Sequence, residues 1–136
     1  METKLVSFGI IVNEASIKNN YLPEGNFHIS PRFQRKIGKV NNEDNKYFVE
    51  IRVELHNTPE NQFPIELVAS VSGIFTIEGD NQNEINHFLL NQGFQMVFPH
   101  LRALVANMTA NAMMPVITLP IVFTNQFKDE DNEGVE

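Results

Sequence analysis

The chain has 136 residues, of which 42% are apolar, and a formal net charge of −7. That is enough for one domain with a buried core, and the charge would repel a phosphate backbone, which excludes generic nucleic-acid binding as the expected role. There is no cysteine, so disulfides, thiolate metal sites and a cysteine nucleophile are excluded, and a reducing cytoplasm is compatible.

The opening residues Met1-Glu2-Thr3-Lys4 lack a charged region followed by a long apolar stretch. No run approaches the roughly 18 apolar residues of a membrane span. A soluble cytoplasmic protein without membrane insertion is expected.

In chain order, Lys4 to Ile17 reads as a strand. Val6, Phe8, Ile10 and Val12 occupy even positions, and then Ala15 and Ile17 occupy odd ones. Strand side chains have period two, so this slip predicts a bulge near Asn13-Glu14. Asn19 to Gly25 reads as a turn. A second strand is expected from Arg32 to Val40, with Phe33, Ile37 and Val40 as apolar points and a basic set of Arg32, Arg35, Lys36 and Lys39. A solvated strand face is the ordinary meaning of such a set.

The third strand alternates most cleanly. Tyr47, Val49, Ile51, Val53 and Leu55 face one way, and Glu50, Arg52, Glu54 and His56 the other, as in a half-buried antiparallel strand. The fourth runs from about Phe63 to Ile77, with Ile65, Leu67, Ala69, Val71, Phe75 and Ile77 on one face.

After Gly79 the period lengthens. Asp80 or Asn81 can cap a helix carrying Ile85, Phe88 and Leu89, and Gly93 can end it. A longer helix follows, roughly Phe94 to Ala112, with the stripe Phe94, Val97, Phe98, Leu101, Leu104, Val105 and Met108. Pro99 is tolerated near a helix start, which moves the expected start toward Phe98.

Met113 to Phe123 is apolar but broken by Pro115 and Pro120, which forbid a regular helix or central strand. Lys128 to Glu136 holds five acids and one lysine. The expected organisation is one domain over 1–127 and an acidic disordered tail over 128–136. Strands followed by helices argue an α+β fold with an antiparallel sheet.

No catalytic or cofactor constellation stands out. His28, His56, His87 and His100 are scattered without metal-ligand spacing. No Gly-x-Ser-x-Gly elbow or phosphate loop is present. The expectation is a protein that is not an enzyme and needs no cofactor and no metal.

Two blocks carry a family resemblance. Gly73-Ile74-Phe75-Thr76-Ile77-Glu78-Gly79 resembles the end of the fourth strand in the SecB export-chaperone family. Phe98-Pro99-His100-Leu101-Arg102 resembles its Phe-Pro-x-x-Arg helix start. Pro115, Leu119-Pro120 and Phe123 follow in the family's order and spacing, with Val122 where an Asn is usual. The strong similarity covers about Phe48 to Phe123, and the first two strands match in layout.

The resemblance implies a four-stranded antiparallel Greek-key sheet with a short and a long helix on one face. It implies a holdase that binds unfolded or precursor polypeptides in an apolar groove for protein export and hands them to the SecA motor. It also implies a homo-oligomer, dimer or tetramer, paired through the first strand and the long helix. A relative's role as the dedicated chaperone of one client, such as an antitoxin in a toxin–antitoxin–chaperone system, is the alternative.

On these terms the client groove is expected at Phe75, Phe98, Met113, Met114, Val116, Ile117, Leu119, Ile121 and Phe123. The oligomer interface is expected at Val6, Phe8, Ile10, Leu101, Leu104 and Met108. SecA-docking positions are Glu14, Glu66 and Val68, while Lys18 stands where the family usually has an acid. Arg102 is expected to pair locally and shape the groove wall. Family members usually continue past the Phe into a second long helix, and thirteen residues follow Phe123 here, so a more open groove is expected.

Overall fold

The computed structural model describes residues 2–22, 27, 30–41, 43–60, 62–113, 119 and 128–129. Four long strands come first: β1 (Lys4–Asn19), β2 (Arg32–Lys39), β3 (Lys46–Leu55) and β4 (Ile65–Glu78). Two helices follow, α1 (Gln82–Phe88) and α2 (Phe94–Asn111), and then a short strand β5 (Lys128–Asp129). The sheet order is β1-β4-β3-β2-β5. The β1/β4, β3/β4 and β2/β3 pairs are antiparallel. Three successive strands with the first returning beside the fourth make a Greek key, and the expected fold class is the one observed.

The core follows from the alternation of β3 and β4. Tyr47, Val49, Ile51, Val53 and Leu55 are buried on one face, with Ile65, Leu67, Ala69, Val71, Phe75 and Ile77 beside them. The helices cover this face. Ile85, Leu89, Phe94, Val97, Phe98, Leu101 and Val105 point into it. Phe75 meets Phe8 at 4.9 Å between centroids and Phe88 edge-on at 5.8 Å. Phe94 stacks on Phe98 at 5.5 Å. With no tryptophan in the chain, phenylalanines supply the large apolar volume that joins sheet to helix.

The bulge expected in β1 is present as a register shift between Val12 and Glu14. A second shift lies between Leu5 and Ser7. It leaves Val6 unpaired and 51% exposed, so Leu5, not Val6, joins Phe8 and Ile10 against the core. The expectation that Val6, Phe8 and Ile10 share a face is corrected on that ground.

The helical region also departs from expectation. Asn81 caps α1, its side chain accepting from the backbone N–H groups of Asn83 and Glu84 at 3.1 and 3.2 Å. Gly93, however, does not end a helix. Its φ of −59° and ψ of −45° are helical, and α1 passes through a π-helical turn, Leu89–Gly93, directly into α2. Glycine stops a helix by adopting positive φ. Here a Cβ on Gly93 would lie 3.4 Å from both Phe75 and Val49, at ordinary van der Waals contact.

Pro99 consequently falls inside α2. It is exposed, on the side where water can take the carbonyl that its missing N–H leaves free. Lys128 and Asp129, at the start of the acidic segment, pair in parallel with Gln34 and Arg35.

Candidate functional site: the end of the long helix and the open sheet face

Candidate positions lie on both sides of the sheet. On the helix side, α2 ends at Ala112, whose N–H bonds the Met108 carbonyl at 3.0 Å. Met113 follows with φ 61°, a left-handed conformation ordinarily taken by Gly or Asn. Its side chain is 92% exposed. Among the described groove candidates it is the one that offers free apolar surface.

The others are core. Phe75, Phe98 and Leu119 are enclosed by the monomer, Phe75 and Leu119 completely. They are therefore core positions and do not offer surface to an open groove. Met114, Val116, Ile117, Ile121 and Phe123 lie outside the described residues.

Arg102 holds Leu119: its Nε donates to the Leu119 carbonyl at 3.1 Å, a charge-assisted bond that ties this residue to α2. The arginine of the Phe-Pro-x-x-Arg block thus pairs locally, as the sequence suggested.

Of the interface candidates, Leu101 is fully buried in the monomer core and cannot meet a neighbour without the fold opening. Leu104 and Met108 are half-buried at the core's edge, as are Phe8 and Ile10. β1 is the terminal strand of the sheet and exposes Val6, Ile11 and Val12. A long apolar edge of this kind is a template on which another chain can pair.

On the open face, β1, β3 and β4 carry a chain of charges. Arg52 Nη1 donates to Glu14 Oε1 at 2.7 Å, and Arg52 Nε to Glu54 Oε2 at 2.8 Å. His56 lies 2.6 Å from Glu54 and 3.6 Å from Glu66. Val68 sits in the same face, opposite Glu54 on β3 and Ser16 on β1. The structure therefore brings Glu14, Glu66 and Val68 onto one surface, and Lys18 stands opposite Glu66 in the β1/β4 register.

Sequence reasoning placed Arg52, Glu54 and His56 on this face but assigned them no role. Opposite charges two apart on one strand face were the available signal. The open face also holds a cleft of about 290 Å³ with Ile11, Phe48 and Ile74 in its wall. Another cleft, of about 410 Å³, lies on the helix side of the sheet between Leu5, Ile77, Phe88 and Met96.

The network sets a pH dependence. The hydrogen bond from Arg52, and then that from His56, hold the Glu54 carboxyl below its ordinary value of 4.5, against the opposing effect of burial. A carboxyl depressed in the folded state stabilises the fold above its unfolded value. That contribution is lost as pH falls through the range below 4.5. Urea midpoints measured from pH 7 downward should decline there, and Glu54→Gln should flatten that part of the decline. An unchanged acid limb in the variant would remove Glu54 as its source.

Among the described residues, no helix is long and apolar enough to cross a membrane. No group of three or more His, Cys, Asp or Glu is placed to hold a metal ion among them.

Comparison with known proteins agrees with this geometry. The chain is 29% identical over 122 residues to the protein-export protein SecB 2 of Francisella tularensis subsp. novicida, covering 89% of this chain and 79% of that protein. It is 26% identical over 113 residues to an uncharacterized protein of Methanocaldococcus jannaschii, covering 81% and 73%. Its fold is similar to that of a SecB-like chaperone of Mycobacterium tuberculosis, solved in complex with a ChAD peptide from the HigA1 antitoxin. That match has a TM-score of 0.71 at 14% identity, over 88% of this chain and 90% of the other. The family model for the preprotein translocase subunit SecB matches residues 3–133. Sequence, sheet topology and helix placement agree, and the chain belongs to the SecB family.

Proposed function

We propose that this chain is a cytoplasmic holdase that binds unfolded or precursor polypeptides without transforming them and keeps them competent for export. The observation that carries this reading is Met113, an apolar side chain 92% exposed at the end of α2, beside the apolar stretch that runs on to Phe123. Apolar burial contributes roughly 25 cal/mol per Å². A few hundred Å² shared with a client therefore supports weak, renewable binding once ordering costs are met. Methionine adapts its shape to varied partners, and a net charge of −7 opposes self-association of the loaded chaperone.

Two partner assignments belong to the same reading. The exposed apolar edge of β1 supports assembly into a dimer or tetramer, with Leu104 and Met108 as further contacts. Glu14, Glu66 and Val68 together on the open face support SecA docking. Dedicated service to one client such as an antitoxin is the second reading, favoured by the similarity in fold to a chaperone solved with an antitoxin peptide.

The test is client capture by Met113→Asp. Asp is among the side chains most tolerant of positive φ, so the variant should melt within a few degrees of the parent. Its affinity for an unfolded polypeptide should fall by about tenfold, the equivalent of losing one buried methionine side chain. Ile117→Asp, with its fold checked by circular dichroism, extends the test along the segment. Full capture by both folded variants would remove this region as the client site.

A further inference from the structure

We propose that the cleft on the open face of the sheet is a binding site for a lysine or arginine side chain, presented by a partner polypeptide between apolar neighbours. The site is separate from Met113 and from the SecA-docking positions Glu14, Glu66 and Val68, and it goes beyond the holdase reading.

The cleft follows from one rung of the sheet. Gly9 on β1 stands opposite Ile74 on β4, Ile74 opposite Phe48 on β3, and Phe48 opposite Gly38 on β2. Paired strand residues project to one face, so this rung brings no polar side chain to the open face. Two apolar side chains occupy its middle and a glycine stands at each end, which makes a shallow trough across the strands. Phe48 and Ile74 are only half-buried. Ile11, 53% exposed, and Val40 border a space of about 290 Å³. At the β1 end the trough is open, since a Cβ on Gly9 would meet no atom within 4 Å.

The polar groups of the cleft are acceptors. Glu50 and Asn13 both line it. Lys36 stands opposite Glu50 on β2, yet the Glu50 carboxylate forms no ion pair or hydrogen bond among the described residues. Asn13 spends its amide nitrogen on the hydroxyls of Ser72 at 2.6 Å and Ser70 at 3.4 Å, so its oxygen is what it can offer. Lys39 also borders the cleft, but its ammonium lies 5.9 Å from the ring of Tyr47, a core residue.

Two acceptors, one of them charged, beside an apolar floor match a long cationic side chain. Its methylene stem would lie on Phe48 and Ile74 while its head meets Glu50. The open β1 end leaves room for the flanking residues of a chain, and Ile11 offers them apolar surface. The net charge of −7 adds long-range attraction for a basic segment.

The experiment uses the full-length chain and a short capped peptide with one lysine between two leucines in a Gly/Ser context, read by fluorescence anisotropy. Glu50→Gln should weaken binding about two- to five-fold, the usual range for a partly exposed ion pair. A peptide carrying Nε-acetyl-lysine, which keeps the stem and loses the charge, should bind the parent more weakly by a similar factor. It should lose nothing further against Glu50→Gln, because the same pair is removed only once. Gly9→Val supplies the second arm. Its side chain enters open space and replaces a strand glycine, so the variant should melt no lower than the parent. It should nevertheless obstruct the trough and cut binding by about tenfold. Met113→Asp and Glu66→Gln should bind the probe as the parent does. Equal binding of the two peptides by the parent overturns the cation assignment. Full binding by folded Glu50→Gln and Gly9→Val chains, or loss of binding in Met113→Asp or Glu66→Gln, overturns the site. No binding of the lysine peptide by the parent overturns the proposal, while client capture at Met113 is decided by its own test.

Discussion

Replacing Gly73 by alanine should destabilise this protein by about 1–3 kcal/mol, the usual cost of overpacking a core. Gly73 is central in β4, opposite Ile10 on β1 and Val49 on β3. Its core-facing side lies under α2. A Cβ there would press on Val97 Cγ2 closer than van der Waals contact allows, and would lie 2.9 Å from both Phe75 and Phe8.

Two effects oppose each other at this site. Removing a strand glycine ordinarily helps, by about 0.5–1 kcal/mol, because the unfolded chain loses freedom. The clash wins because its partners cannot yield: Val97 is β-branched and fully buried, and Phe75 is packed by Phe8 and Phe88. Thermal unfolding should read the loss as a fall of several degrees. Val97→Ala in the same chain should recover part of it, since the two sites share the space. A Gly73→Ala chain as stable as the parent would show that α2 does not approach β4 this closely.

Leu119→Asp should have a still larger effect, several kcal/mol. A buried leucine truncated to alanine already costs about 2–5 kcal/mol, and an unpaired carboxylate in its place adds a desolvation cost. Leu119 is completely buried and belongs to the main core. The total approaches the whole stability of a typical domain, so the variant should be largely unfolded by circular dichroism at 25 °C. Leu119→Met, close in volume, should cost under about 1.5 kcal/mol. A folded Leu119→Asp chain that merely loses clients would return Leu119 to the groove surface. The contrast with Met113→Asp is deliberate, because the two residues flank one segment but differ completely in exposure.

Much of the architecture could be read before any coordinates. Period two in Tyr47 to Leu55 and in Ile65 to Ile77 dictates which side chains are buried, because each strand residue faces opposite to the next. The change of period after Gly79 places the helices, and the parity slip near Asn13 places one bulge. The Gly73 and Phe98–Arg102 blocks carried the family. These features are local, and a local pattern survives in one dimension.

What escaped depends on contacts between distant residues. The bulge at Val6 leaves no parity signal, since Leu5 and Val6 are both apolar. Gly93 looks like a helix stop until its helical backbone is seen to carry α1 through into α2. The charged row from Glu14 through Arg52 and Glu54 to His56 and Glu66 exists only once three strands lie side by side. Burial of Leu119 is decided by the Arg102 bond and the packing of the core, not by its apolar, proline-broken neighbourhood. Exposure is a property of what else comes near, so the tertiary structure alone could separate Met113, which faces solvent, from Leu119, which does not.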